Sequence, residues 1–334
     1  MACRGSAVRV RLAPSREPRP CLGFFVSGAL EHLGHIGPSH STNVVSLAFR
    51  SPVHHTRSDL EIPVLELFHA APSYYSMVAR LALAEAGVET ISRLLDIHIA
   101  KQQLSDAYRQ LNPHMTVPTL RGPGLLLTDS ADILVFSARQ AGTNWLDADA
   151  GLAPAIDQVV ADHYAISIEN LTFSKLLVSK PLLLPVVKRV LGGLSRSLEA
   201  RAEQAADGGA SLRDKALQDR ERLATLTDVP PAHTLKSMRE QVHAYLCALP
   251  APEFGAGLFG DRLSRADIVV AVLLARLSMT DELQLLERDD IRQWWQQFQT
   301  RPGFQSANIW THFQKRRFAQ AIIAARHTPL VVHD

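Results

Sequence analysis

Cysteine is scarce in this chain: three residues in 334, with Cys3 and Cys21 near the start and Cys247 alone in a helical pattern. Thiols so placed make neither a disulfide scaffold nor a closed zinc site, and they fit a reducing compartment. An excess of one charge is also missing. Lys and Arg number 35 against 33 Asp and Glu, a formal charge of +2 with neutral histidine. That balance gives no general pull toward nucleic acid or acidic membranes and excludes a polyanion binder. No apolar run spans a bilayer, which takes about 20 residues. Residues 22–30 are broken by Gly23, Ser27 and Gly28; residues 176–194 carry Lys180, Pro181, Pro185, Lys188 and Arg189; residues 319–332 are interrupted by Arg326 and His327. The fourteen histidines show no HExxH and no i, i+4 pair on one face, so no metal site is expected. A Gly-rich phosphate loop, GxSxG and CxxC are absent too, which leaves nucleotide binding, serine hydrolysis and dithiol exchange without support.

What is present fits about two globular domains, with 46% hydrophobic residues and ordinary cores. Residues 1–58 differ from the rest: seven Arg, no Lys and two acids, Glu17 and Glu31. Residues 1–60 read as a disordered or targeting leader. The compartment expected for the folded part is the cytoplasm; the Arg-rich, acid-poor start makes mitochondrial or plastid import the alternative. From residue 64 the pattern is that of a folded protein. Residues 64–68 form a short strand, a helical pattern around Val78, Leu81, Leu83 and Ala86 stops at Gly87, and residues 91–97 form another strand. A polar helix over 101–111 ends at Asn112-Pro113. Residues 117–120 and 125–127 flank Gly122-Pro123-Gly124 as a hairpin, and Thr128-Asp129-Ser130 opens a helix over 131–140. The order is β-α-β-α-β-β-α, over residues 61–143. After a linker at 142–151 only helical periods follow, over 155–171, 182–206, 235–249, 268–277 and 291–300. This all-helical part covers 150–325, with an insertion at about 172–235. Within it, residues 205–222 are expected to be exposed, as an added helix pair or a partly mobile segment.

Two local features point to chemistry. Proline at the start of a strand removes a ladder donor and leaves the main chain of Val117 open to another partner, and an X-Pro bond adopts cis at a cost of only about 0.5–1 kcal/mol. An extended peptide can add there as a short antiparallel strand. Asp129-Ser130, at a helix start, offers amide donors, a hydroxyl and the positive helix end to a carboxylate. Each feature alone is an ordinary turn or cap; their spacing behind a βα unit is not. Downstream, Ser264 and Asp267 form an Asp version of the capping box, with Leu263 and Ile268 as its hydrophobic staple.

Together with these residues, the stretches from Pro72-Ser73-Tyr74-Tyr75-Ser76 through Arg80 to Glu85, from Leu111-Asn112-Pro113 through Thr116-Val117-Pro118-Thr119-Leu120, Leu127-Thr128-Asp129-Ser130, the run Phe259-Gly260-Asp261 to Ile268, and Arg301-Pro302-Gly303-Phe304 resemble the glutathione transferase superfamily. The resemblance covers roughly residues 62–315. Within the superfamily it is strongest to the tetrachlorohydroquinone dehalogenases and the ganglioside-induced differentiation-associated proteins. It implies an α+β fold: a thioredoxin-like N-terminal domain followed by an all-α C-terminal domain. It also implies glutathione as co-substrate, no metal, a small-molecule electrophile as partner, and a homodimer without membrane span. The activity implied is glutathione-dependent transfer. The alternatives are a non-catalytic glutathione-transferase-like binding or interaction module, or a glutathione-dependent isomerase or dehalogenase. By the same resemblance Ser73 is the first choice for the hydroxyl that stabilises the glutathione thiolate, with Tyr75, Ser76 and Tyr74 as alternates. Val117, Pro118, Asp129, Ser130 and Thr116 would hold the tripeptide, Val117-Pro118 in its cis form.

This chain departs from the pattern at two places. Tyr75 stands where the dehalogenases carry a nucleophilic cysteine, which removes their protein–glutathione disulfide step at this position. Thr116 stands where many transferases place Lys or Gln, leaving Arg121, His114 and Lys101 as candidates for the glycine-end carboxylate. His163-Tyr164 reads as a partly buried hydrogen-bonded pair, or else as a cleft-facing one. Trp294, Trp295 and Phe298 read as core, and Lys315-Arg316-Arg317 as a solvated helix end.

Overall fold

In the computed structural model, residues 64–252 and 257–327 are described; the leader at 1–60 lies outside them. The first part is a four-stranded sheet in the order β2-β1-β3-β4. Strand β1 (Glu66–His69) leads into helix α1 (Tyr74–Glu85), and β2 (Ile91–Leu94) returns parallel to β1. Helix α2 (Asp106–Leu111) crosses to β3 (Thr119–Gly122), which pairs antiparallel with β1 and with β4 (Leu125–Leu127). Gly124, at φ 67°, takes the left-handed conformation that the tight β3–β4 turn needs. Helix α3 (Ser130–Ala141) completes the expected β-α-β-α-β-β-α order. This is a thioredoxin-like arrangement.

The remainder is helical: α4 (Ala153–Ala165), α5 (Ile168–Ser179), α6 (Leu184–Gln204), α7 (Ala210–Thr227), α8 (Pro231–Ala248), α9 (Arg265–Met279), α10 (Asp289–Phe298), α11 (Pro302–Ser306) and α12 (Lys315–Arg326). Three sequence readings change here. The single helix expected over 155–171 breaks between α4 and α5 at Ile166 and Ser167, which leave helical backbone geometry. Residues 205–222 hold the α6–α7 turn and most of α7, and they are not uniformly exposed. Leu212 and Ala216 pack with Leu198 and Ala202 of α6 on Leu104 and Met115 of the sheet part. Ionic contacts pin the same face, Arg201 to Asp106 at 2.9 Å and Arg109 to Asp207 at 2.5 Å. Finally, Lys315-Arg316-Arg317 forms the start of α12, where Lys315 and Arg316 are exposed but Arg317 is half-buried with its guanidinium 4.3 Å from the Trp310 ring centroid.

Apart from Asp267 and Arg276, helix α9 is apolar from Ala266 to Leu277, and all these residues are buried, as expected of a helix with no solvent face. Trp294, Trp295 and Phe298 pack in the same core. The capping box at its start is present. The Asp267 carboxylate accepts from the Ser264 amide and hydroxyl, each at 2.7 Å, and from the Leu258 amide at 2.6 Å. Helix α1 is enclosed as well. Ala79 and Leu83 face Leu67 and Leu120 of the sheet and Ile133 of α3, while Met77, Val78 and Leu81 join the core of α9. A helix gripped on both faces holds its N-terminus at a fixed place. Among the described residues no helix is long and apolar enough to cross a membrane.

Candidate functional site

Register brings three chain segments to one end of the sheet. Phe68 lies opposite Thr119, and Leu120 opposite Leu127, in two antiparallel pairings. The exit from β1, the entry to β3 and the exit from β4 are therefore neighbours, and so are residues 70–73, 116–118 and 128–130 that continue from them.

The Val117–Pro118 bond is cis. Among the described residues neither the amide nor the carbonyl of Val117 has a hydrogen-bond partner, so a length of extended main chain is open to a peptide. A buried network fixes the loop that carries it. The Tyr108 hydroxyl donates to the Thr116 carbonyl at 2.6 Å and lies 2.8 Å from Thr119 Oγ1, and Asn112 Nδ2 donates to the same two oxygens at 3.0 Å each. Thr116 thus contributes its carbonyl to the scaffold. Tyr108 and Asn112 were not singled out from the sequence; the helix stop at Asn112-Pro113 was their one signal.

Ser73 is the N-cap of α1, and its Oγ accepts from the Ser76 amide at 3.4 Å. The acceptor role leaves the hydroxyl proton of Ser73 available for a partner outside the protein. Ser76 is fully buried and its Oγ accepts from the Ala70 amide at 3.2 Å, closing the turn from within. Tyr75 is half-buried and stacks on Tyr164 of α4, with centroids 6.3 Å apart and planes within 7°. Tyr164 in turn lies 3.1 Å from Ser130 Oγ. One tyrosine therefore ties the start of α1 to the start of α3. Asp129 caps α3 through the Ala131 amide at 2.7 Å, and burial, with a lesser contribution from Asp132, raises its carboxyl above the ordinary range.

Behind this surface lies a closed layer. The Tyr74 hydroxyl meets His163 Nε2 at 3.1 Å, and burial pulls the His163 imidazole down to about 3, so it is neutral at any ordinary pH. The paired and buried reading of His163-Tyr164 therefore describes His163, while Tyr164 reaches the junction. Arg276, from the last turn of α9, donates to the Pro72 carbonyl at 2.8 Å and sits over the Tyr74 ring at 5.5 Å. A charge set among apolar residues near the end of this helix is the one sequence signal for that contact. Of the three candidates for a glycine-end carboxylate, Arg121 is held by Glu66 through its Nε at 3.0 Å; His114 is exposed and Lys101 half-buried. Among the described residues no group of His, Cys, Asp or Glu is arranged to hold a metal ion.

A thioredoxin-like sheet with a cis-proline loop, joined to a helical bundle that closes on its first helix, is the architecture of glutathione transferases. Comparison with known proteins agrees. Residues 67–145 match the family model described as glutathione S-transferase, N-terminal domain. Tetrachloro-P-hydroquinone reductive dehalogenase of Sphingobium chlorophenolicum is 24% identical over 261 residues, which cover 74% of this chain and 97% of that one. A glutathione S-transferase structure from Rhodospirillum rubrum F11 superposes with a TM-score of 0.51 at 19% identity, over 77% of this chain and 99% of that one. A theta-class enzyme from Xanthomonas axonopodis pv. citri with glutathione bound gives 0.47 at 19% identity, over 74% and 97%. Residues 67–145 thus match the glutathione S-transferase N-terminal domain, and the chain as a whole has the glutathione transferase fold.

Proposed function

We propose that the chain is a glutathione-dependent transferase that activates the glutathione thiol for attack on a small apolar electrophile. The observation that carries this reading is the Ser73 hydroxyl. It sits at the N-terminus of a helix packed on both faces, with its proton uncommitted, at the end of the sheet where Val117 presents open main chain.

A free thiol has a pKa of about 8.5, so only a few per cent is thiolate at neutral pH. A donor hydroxyl and the positive end of α1 both favour the charged form, lowering that pKa and raising the nucleophile fraction. In this reading the cysteinyl main chain of glutathione pairs with the amide and carbonyl of Val117 as a short antiparallel rung. The γ-glutamyl carboxylate takes the amides at the start of α3 and the Ser130 hydroxyl, and Asp129 holds that helix start. Thr116 acts through its carbonyl, as part of the loop scaffold. The thiol proton leaves to solvent, the thiolate attacks the electrophile, and its leaving group departs. Homodimer assembly belongs to the same reading and is checked by light scattering.

Reductive dehalogenation through a protein–glutathione disulfide is disfavoured. Tyr75 occupies the position concerned, and the one cysteine among the described residues, Cys247, sits on α8 with its Sγ 3.6 Å from His243 Nε2. The test is Ser73→Ala assayed with glutathione and a general aryl halide across pH. Loss of a hydrogen bond to a charged sulfur is worth about 1.5–3 kcal/mol, so kcat/KM at neutral pH should fall roughly ten- to hundredfold, and the apparent thiol pKa should rise toward that of free glutathione. Retention on glutathione resin without turnover, unaffected by Ser73→Ala, would instead establish a binding module.

A further inference from the structure

A second cluster of polar groups lies away from Ser73, Val117 and Ser130, in a groove of about 310 Å³ bounded by α1, β2 and α12. Two arginines line it, Arg80 of α1 and Arg317 of α12, and both donate to one oxygen, the carbonyl of Asn308, at 3.4 and 3.2 Å. Two like charges thus converge on a single neutral acceptor. Their other partners are neutral as well: the Ala71 carbonyl and His69 Nδ1 for Arg80, the Asn308 side chain and the Trp310 ring for Arg317. No carboxylate pairs with either one among the described residues, where sixteen other ion pairs do form. Arg80 Nε is shut off from solvent with no partner at all. Burial, and then the charge of Arg317, lowers the Arg80 guanidinium to about 10.

The surrounding groups extend the pattern. A guanidinium can only donate, so His69 Nδ1 accepts from Arg80 at 3.3 Å and the proton sits on Nε2. That Nε2–H donates to Ser92 Oγ at 2.7 Å, which leaves the Ser92 hydroxyl proton free to turn into the groove it lines. The rest of the wall is largely apolar, formed by Leu94, Trp310, Ala321 and Ala324. Paired guanidiniums match the geometry of an oxyanion, and the apolar wall suits a small hydrocarbon body attached to it.

We propose that this groove binds a small organic anion, its carboxylate or phosphoryl oxygens set between Arg80 and Arg317 and its apolar part against Leu94 and Ala321. Such an anion supplies the countercharge that the two arginines lack among the described residues.

The test is calorimetric titration of the full chain with benzoate and, separately, inorganic phosphate, with glutathione present throughout so that its carboxylate contacts elsewhere are filled. Saturable benzoate binding at millimolar concentration is expected, weakened about tenfold or more by Arg317→Gln, the loss typical of a charged hydrogen bond. Gln320→Glu, which adds a carboxylate to the groove wall, should abolish it and decides the matter if Arg317→Gln does not fold. Phosphate binding without benzoate binding would overturn the organic ligand. Absence of heat with either anion, or benzoate affinity unchanged in both variants, would overturn the site.

Discussion

At the scale of single residues, Tyr164 is the joint between the starts of α1 and α3. It stacks on Tyr75 and lies within hydrogen-bond distance of Ser130. Tyr164→Phe keeps the ring and removes only the hydroxyl. A neutral hydrogen bond contributes about 0.5–1.5 kcal/mol, so KM for glutathione should rise roughly three- to tenfold with kcat little changed; a fall in kcat with constant KM would instead place Tyr164 at the reacting atoms. Much of this residue pattern was legible beforehand. Ser73, Val117-Pro118 and Asp129-Ser130 follow strand ends or open helices, and such positions are marked by cap and turn chemistry that is local in sequence. Arg276, Tyr108 and Asn112 were not legible, because their partners lie on other elements: Pro72 is 204 residues from Arg276, and nothing in a linear pattern announces that meeting.

At the scale of elements, one buried carboxylate holds two helices together. Glu282 is fully buried and accepts from Lys175 of α5 at 2.6 Å and from Arg239 of α8 through two nitrogens at 2.7 and 2.6 Å. Removing it leaves two cations facing each other without countercharge. Breaking a buried pair from one side costs about 3–5 kcal/mol; both cations retain some access to water, so Glu282→Ala should lower stability by about 3 kcal/mol in urea unfolding. A loss below about 1 kcal/mol would mean that the cations simply swing into solvent. The helices themselves followed from apolar spacing, and the strand order of elements in the first part was read correctly from punctuation by Gly, Pro and Asn. The break between α4 and α5 was not seen: residues 166–167 carry neither Gly nor Pro, and it is tertiary packing of Ile166 and Ile168 that bends the chain there.

At the scale of the whole folded part, two neutral histidines set the response to acid. Burial lowers both His69 and His163 to about 3, with Arg80 adding to the effect at His69. In the unfolded chain each titrates near 6.5. Between those values the unfolded state binds more protons than the native one, so stability falls as pH drops below about 6.5. Asp267 works in the opposite sense: burial raises it to about 6, so its contribution favours the native state at low pH and is lost as pH rises through that value. Asp129 and Asp219, also raised by burial, act with Asp267, while Glu66, Asp96 and Glu282, held low against burial by their Arg, Lys and amide partners, act with the histidines. His163→Gln should flatten the dependence of urea stability between pH 5 and 6 by up to about 1.4 kcal/mol per pH unit, the value for one proton. An unchanged slope would show that His163 is protonated in the native state.

The α6–α7 hairpin also has a reach beyond its own helices. It rests on Met115, one residue before Thr116 and two before the open rung at Val117. Gly209, at φ 64°, lets α7 begin directly against the Ala202 backbone of α6, where any added Cβ would collide. Gly209→Val should therefore wedge the hairpin off its seat and weaken glutathione retention, measured against wild type by calorimetry, although no atom of the hairpin belongs to the thiol-binding corner. If Val117 and Ser73 hold glutathione as proposed, a macromolecule that levered these two helices outward would work like a hand on a distant latch, slackening the grip on the tripeptide while leaving the Ser73 hydroxyl untouched.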